Sequence, residues 1–459
     1  MRACAGLAVL IGLAATAFAC SDDTATSPAA PPDAGPLPDS GATDGGGAFV
    51  PCPTTTSGPT AHDSTITADE TWTADKSPHV IDNDLAINAT VTIEPCAEVR
   101  IAAATSITVS GGKLVAIGRE GNGIRIHASD PTKPFAQIAT NNGGTLRLAY
   151  VDIEDGGDPT NIVPDVIGTI RLQGADATAP VQPTLFVDHV NVKDSRSLGV
   201  VLQDGAGFDA DSRDLTVTGS ANFAMSIAAR ALSGVPTGTY TGNTVDEIVV
   251  PCNDVIQEDT TIHDRGVPYR IGNSLTNGYL KVEKPVGLAT LTIEPGVTLR
   301  FKKDAELIVE GAASTDPARG ALIAQGTAAK PIVFTSAAPT PAAGDWIGIS
   351  FNSVPNPNDK LDNVRVEWAG GLTGSGSDTC NISPVVPDAA IRVRGVPSGQ
   401  FVTNTVIANS AAHGIDRGWR NDAKTDFIAT NTFTAVAACK QTYPKDTNGA
   451  CPDPVPCPQ

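Results

Sequence analysis

Hydrophobic residues in this chain fall into short runs of strict alternation. Between Leu291 and Phe334 the sequence reads LTIEPGVTLRF, then LIVEG, ALIAQGT and KPIVFTS. Leu291 and Ile293 alternate with threonines, and Val297, Leu299 and Phe301 resume the pattern after Glu294-Pro295-Gly296. Leu307 with Val309, Leu322 with Ala324, and Ile332 with Phe334 follow. Each run is too short for a helix and has a period of two, which predicts strands. Short strands in close succession, with few hairpin signals, predict a chain wound into a parallel solenoid.

The pattern occurs twice. Val91, Ile93, Val99, Ile101, Ile107, Val109 and Gly111 each stand 200 positions before Leu291, Ile293, Leu299, Phe301, Leu307, Val309 and Gly311. After an insertion around Ser314–Arg319 the offset becomes 208, and Leu114, Ala116, Gly118, Ile124 and Ile126 match Leu322, Ala324, Gly326, Ile332 and Phe334. An insertion that leaves the flanking alternation intact belongs in a loop. Val50-Pro51-Cys52 and Val250-Pro251-Cys252 open the two copies. Leu148, Val151, Ile153, Glu154 and Gly157 match Leu361, Val364, Val366, Glu367 and Gly370. The runner-up architecture, a pair of β-sandwiches, needs hairpin turns, and Asn277-Gly278 and Asn448-Gly449 join no good strands.

The alternation begins only at Phe49. Ahead of it, Met1–Ala19 has a positive Arg2 and an apolar run from Ala5, too short for a good membrane span, as in a secretion leader. Thr24–Ala48 is Pro-, Ala-, Gly-, Ser- and Asp-rich without periodicity, and reads as a disordered tether. The organisation expected is a signal peptide at 1–19, a tether at 20–48, repeat units at 49–249 and 250–445, and a Cys/Pro-rich tail at 446–459. Ala17-Phe18-Ala19-Cys20 resembles the bacterial lipobox. That resemblance implies lipidation of Cys20 and attachment to the cell envelope, and Ser21 after the cysteine implies the outer membrane of a Gram-negative bacterium.

The repeats themselves carry a second resemblance. The turn I-E-P-G-V-x-L-x-F, the later A-x-G-T-x-x-x-P-I-x-F-T and the Trp346-Ile347-Gly348-Ile349 run are similar to bacterial right-handed parallel β-helix proteins of the pectin-lyase-like class. Asn404–Asn409 and Asn431–Phe433 resemble the asparagine-rich turns of such coils. At roughly 20–29 residues per repeat the body would hold on the order of 15–18 coils. At about 4.8 Å per strand that is a rod of roughly 70–90 Å, with the linker near Val235–Val250 as a place for a bend.

Composition narrows the partners. Aromatics are 5% of the chain and the formal charge is −19. Such an acidic surface does not attract nucleic acid. In an oxidising compartment Cys52, Cys96, Cys252, Cys380, Cys439, Cys451 and Cys457 are disulfide candidates, and Cys96 standing where the second copy has Gly296 suggests a Cys52–Cys96 bridge. No CxxC pair points to zinc, and no cofactor motif is present.

Three constellations bear on chemistry. Asp152, Glu154, Asp155 and Asp158 offer outward oxygen donors suited to Ca²⁺ but read better as a solvated acidic turn, because Arg365 replaces Asp152 in the second copy. His413, Asp416, Arg417, Arg420 and Asp422 combine an acid–base residue with charged partners and read better as polar turns. Trp346, Trp368, Trp419 and Tyr150 would stack on sugars if exposed. No catalytic or metal-ligating set emerges. The expected function is a non-enzymatic structural, adhesive or binding module at the cell surface, held by its lipid anchor and facing a polysaccharide or a surface protein. The alternative is a polysaccharide lyase or hydrolase on the same scaffold.

Overall fold

Every alternating run of the sequence becomes a strand, and all but one pair of strands lie parallel. The computed structural model describes residues 51–158, 166–174, 180–273, 278–311, 315–373, 379–380, 388–421, 425–452 and 457. The expected leader, tether and Cys20 lie outside them. The sole antiparallel strand pair among the described residues joins Thr379–Cys380 to Tyr443–Pro444. A sandwich would need antiparallel hairpins throughout, so the architecture is a parallel β-helix.

The register shows how the core forms. One inward column runs Leu85, Ile107, Ile138, Ile170, Val200, Met225, Ile248, Tyr269, Leu299, Phe334, Val366, Ile407 and Phe433, each paired with the next coil. All but Phe433 are buried. Full burial of such a side chain contributes roughly 1.5–3 kcal/mol. This column belongs to a sheet of 13 strands, fewer than the 15–18 coils expected from repeat length. The shortfall comes from long coils. Val91 stacks on Leu114, but Leu299 reaches Phe334 only after a loop-bearing coil.

Corners of the coil are made by single residues in the left-handed conformation. Tyr150, His189, Asn363 and Asn404 have φ of 49°, 53°, 52° and 48°, and they separate the first face of a coil from the second. Asp155, Asp194, Trp368 and Asn409 form the next row of corners, at φ of 61°, 55°, 64° and 55°. Asn, Asp and His tolerate this conformation because short polar side chains compensate locally, while bulky Tyr and Trp are the costly members.

The duplication is visible in matched pairings. Val91 pairs with Leu114 and Ile93 with Ala116, as Leu291 pairs with Leu322 and Ile293 with Ala324. The copies are nevertheless joined one face out of phase. Ser106–Ser110 corresponds in sequence to Glu306–Val309, yet it shares its sheet with Thr298–Phe301, while Glu306–Val309 lies in a separate six-stranded sheet. The slip occurs at the 3-10 helix Ala229–Gly234, which stands where a strand would continue the ladder. It is tied to the next coil by Asp254 Oδ2 accepting from Ala229 N–H (2.6 Å) and Ser233 Oγ accepting from Thr261 N–H (2.8 Å). Two of the three faces stop here, and new five- and six-stranded sheets begin. The third face crosses the seam through Val245–Val250, so the end of the segment read as a linker is a strand of a continuous sheet.

Disulfides tie off both ends, joining Cys52 to Cys96, Cys380 to Cys451 and Cys439 to Cys457. Cys252, a candidate on sequence grounds, takes part in none of them. Its sequence counterpart Cys52 meets Cys96, but Gly296 replaces Cys96 in the second copy and lies beside Asp264 and Lys330, whereas Cys252 lies near Gly278 and Lys302. Burial pushes its thiol up to about 11. A chain starting at Phe49 is expected to show one thiol to a disulfide-exchange reagent after unfolding and none before; rapid labelling of the folded chain at Cys252 would contradict this placement.

Candidate functional site

Outward positions on the second face of the first copy carry an alternating charge ladder. Asp152 and Glu154 do point outward, with Val151 and Ile153 buried between them. They are strand residues engaged in ion pairs rather than a solvated acidic turn. Asp152 Oδ1 accepts from Lys193 Nζ (2.8 Å) and Asn191 Nδ2 (2.9 Å), and Glu154 Oε2 accepts from Arg125 Nη2 (2.7 Å). Two coils before Glu154, Glu98 accepts from Arg100 Nε (2.9 Å) and faces His127 Nε2 (2.9 Å). Burial works to raise the Glu98 pKa, but the bonds from Arg100 and His127 outweigh it and hold the carboxyl below its usual range. Asp155 occupies a left-handed corner, where burial and nearby Asp194 push its carboxyl up. Arg365, the counterpart of Asp152, pairs with Glu367 on its own strand. Glu98, Asp152 and Glu154 are thus committed to basic neighbours within the ladder.

The second constellation is not a set of turns. His413, Asp416 and Arg417 belong to the strand His413–Arg417, buried along its whole length. The C-terminal segment lies over its edge, with Gly414 and Ile415 N–H groups donating to Cys439 and Lys440 carbonyls (both 2.9 Å). Cys439 N–H donates to His413 Nδ1 (3.1 Å) and Arg417 Nε donates to Thr442 O (2.6 Å). No substrate reaches a histidine so covered. Asp422 lies outside the described residues. The sequence misleads here because the covering segment, Cys439–Thr442, has no alternating pattern to mark it as the next layer.

Among the aromatics, Trp346 and Trp419 are buried, which removes them as sugar platforms. Trp346 stacks on Phe301 at 4.2 Å inside the coil, and its Nε1–H donates to Glu367 O (2.8 Å). Trp368 is a half-buried corner residue. Tyr150 stacks on His189, rings 4.5 Å apart and 8° from parallel.

That stack leads to a group the sequence reading missed. His189 Nδ1 lies 2.6 Å from Asp188 Oδ1, and His189 Nε2 lies 3.6 Å from Asp214 Oδ2. Arg213 pairs with the other Asp188 oxygen. The coil geometry brings them together, since Asp188 stacks on Arg213 and Val190 on Leu215. Tyr150, His189 and Asp214 are thus corner residues of successive coils, at φ of 49°, 53° and 52°. A signal existed in the sequence: Tyr150-Val151-Asp152-Ile153, His189-Val190-Asn191-Val192 and Asp214-Leu215-Thr216-Val217 share one pattern of corner, apolar, polar, apolar. Desolvation, with Asp188 adding to it, holds the Tyr150 phenol above its ordinary pKa. The His189 side chain is 47% exposed and Asp214 48%, so solutes reach both.

Two clefts open beside the 3-10 helix at the seam. In the larger, of about 470 Å³, Arg265 projects among Val181, Phe208 and Val235, but its guanidinium already donates twice to Val235 O (3.0 and 2.8 Å).

Comparison with known proteins agrees with this geometry. Residues 268–383 match the family model described as a pectate-lyase like beta helix domain. No curated protein and no solved structure matches the chain. The match falls on second-copy coils, and so the described body is a parallel β-helix whose residues 268–383 are similar to the pectin-lyase-like kind.

Proposed function

We propose that this chain is an envelope lipoprotein whose β-helix serves as a structural, adhesive or binding module and cleaves no substrate. The observation that carries the reading is the self-paired ladder of Glu98, Arg100, Arg125, His127, Asp152, Glu154 and Lys193. A lyase or hydrolase face needs carboxylates and bases turned toward substrate; here they are turned toward one another. Such a face stays polar and rigid, suited to contact with a polysaccharide or another surface protein. Lipid on Cys20, with the tether behind it, would hold that face clear of the outer membrane, because several acyl chains anchor durably where one does not. The acidic charge of −19 argues against nucleic acid as a partner.

Two measurements test the reading. Labelled palmitate is expected to enter the wild-type chain and not Cys20→Ser, which should leave the membrane fraction. Incubation with uronic-acid polymers, with and without Ca²⁺, is expected to break no bonds. Cleavage that disappears in Asp152→Asn or His189→Ala would overturn the reading in favour of a polysaccharide lyase or hydrolase.

A further inference from the structure

We propose that the corner column at His189 is a binding site for a first-row divalent transition-metal ion, with His189 Nε2 and the Asp214 carboxylate as its protein ligands. Three features of the geometry carry this.

The first is the orientation of the ring. Asp188 Oδ1 lies 2.6 Å from His189 Nδ1, in place to accept from an N–H there, and Nε2 is the ring nitrogen turned toward Asp214. Arg213 pairs with the second oxygen and occupies it, so Asp188 orients the imidazole from behind rather than binding the ion. A carboxylate behind a ligating histidine is the usual outer support of such sites.

The second is spacing. Nε2 and Asp214 Oδ2 are 3.6 Å apart. Two donors at about 2.0–2.1 Å from one zinc ion lie roughly 3–3.4 Å from each other. Half-exposed side chains close that difference by a small rotation. Tyr150, stacked flat on the imidazole, holds the ring plane while they do so.

The third is that the other histidines lack this arrangement. His62 and His79 face each other, His127 has an oxygen at each ring nitrogen, and His413 is buried under the C-terminal segment. His263 has Glu294 at Nδ1 but no second carboxylate gathered with it. Among the described residues Asp188, His189 and Asp214 are the one group of three whose ligand atoms all lie within 4.8 Å.

The donor set decides the class of ion. An imidazole nitrogen beside one carboxylate suits Zn²⁺, Ni²⁺ or Cu²⁺, whereas Ca²⁺ and Mg²⁺ want oxygen alone. Water completes the coordination, which leaves the ion open to a further ligand from outside, such as a donor group on a neighbouring polymer. The site adds a capacity that the charge ladder lacks, and it stands or falls apart from the question of polysaccharide cleavage.

The test is calorimetric titration of the full chain with ZnCl₂ and NiCl₂, with CaCl₂ as comparison. One Zn²⁺ or Ni²⁺ per chain is expected, with no matching Ca²⁺ event. His189→Ala and Asp214→Asn should each abolish saturable binding, and Asp188→Asn should weaken it by about 10–100-fold. His263→Ala should leave it unchanged. With Cu²⁺, the electron paramagnetic resonance spectrum should show coupling to a single imidazole nitrogen, lost in His189→Ala. Circular dichroism of each variant separates a lost ligand from a lost fold. No saturable binding by the wild type, or binding that survives in both His189→Ala and Asp214→Asn, would overturn the proposal.

Discussion

Phe301→Ala is expected to destabilise the β-helix by about 3–5 kcal/mol, the usual cost of removing a large buried aromatic side chain and leaving a cavity. Phe301 is fully buried and stands between two rings inside the second copy, Trp346 at 4.2 Å and Phe334 at 6.3 Å. Its backbone is held on both sides, paired with Ile271 below and Ser336 above. The coil cannot collapse into the gap, because each neighbour is fixed at the strand spacing by its own ladder. The matched site in the first copy is Ile101, equally buried but aliphatic. Ile101→Ala should cost about 2–5 kcal/mol, the aliphatic range. Urea unfolding of the two variants, read by tryptophan emission and by circular dichroism, measures both values. A loss under about 1 kcal/mol for Phe301→Ala would be incompatible with a packed interior at this position.

The sequence made the inward columns readable because alternation assigns each aliphatic residue to the inside, and a repeat offset assigns its partner in the other copy. Val91 with Leu114 and Leu291 with Leu322 follow from those two facts alone. The phase slip at Ala229–Gly234 does not follow, since alternation says that a strand faces inward without saying on which face of the coil it lies. Cys252 shows the same limit. Its motif repeats that of Cys52, but a seam between the copies places it beside Gly278 rather than beside the position of Cys96. The site at His189 escaped because its residues are distant in sequence and meet only through the coil register. The His413 group was legible as polar residues and illegible as buried ones, because burial is imposed by the irregular segment Cys439–Thr442.

That segment supports the second large effect. Loss of the bridges in Cys439→Ser or Cys380→Ser is expected to cost about 2–4 kcal/mol each, concentrated at the C-terminal end. A solenoid exposes its unpaired edge only at its ends, so an end needs a cover. Here Cys439–Thr442 covers the edge of His413–Arg417, and the bridges to Cys457 and Cys380 limit how far the cover can leave. The same contact is acid-sensitive. His413 Nδ1 accepts a proton-bearing bond from Cys439 N–H, and burial, with Asp388 pulling weakly the other way, keeps the imidazole below its ordinary pKa of 6.5. A histidine held neutral by the fold stabilises it fully above that ordinary value. The contribution is lost as pH falls below 6.5, because the unfolded chain takes up a proton that the folded one refuses. The protection factors of Gly414 and Ile415, taken against the pH-dependent intrinsic exchange rate, should therefore fall between pH 7 and pH 5, and more steeply in Cys439→Ser, while Ile138 and Ile170, on strands paired on both sides, keep theirs. If Gly414 and Ile415 stay as protected as Ile138 in the doubly substituted Cys380→Ser/Cys439→Ser chain at pH 5, the cover is held by something other than its bridges and its neutral histidine.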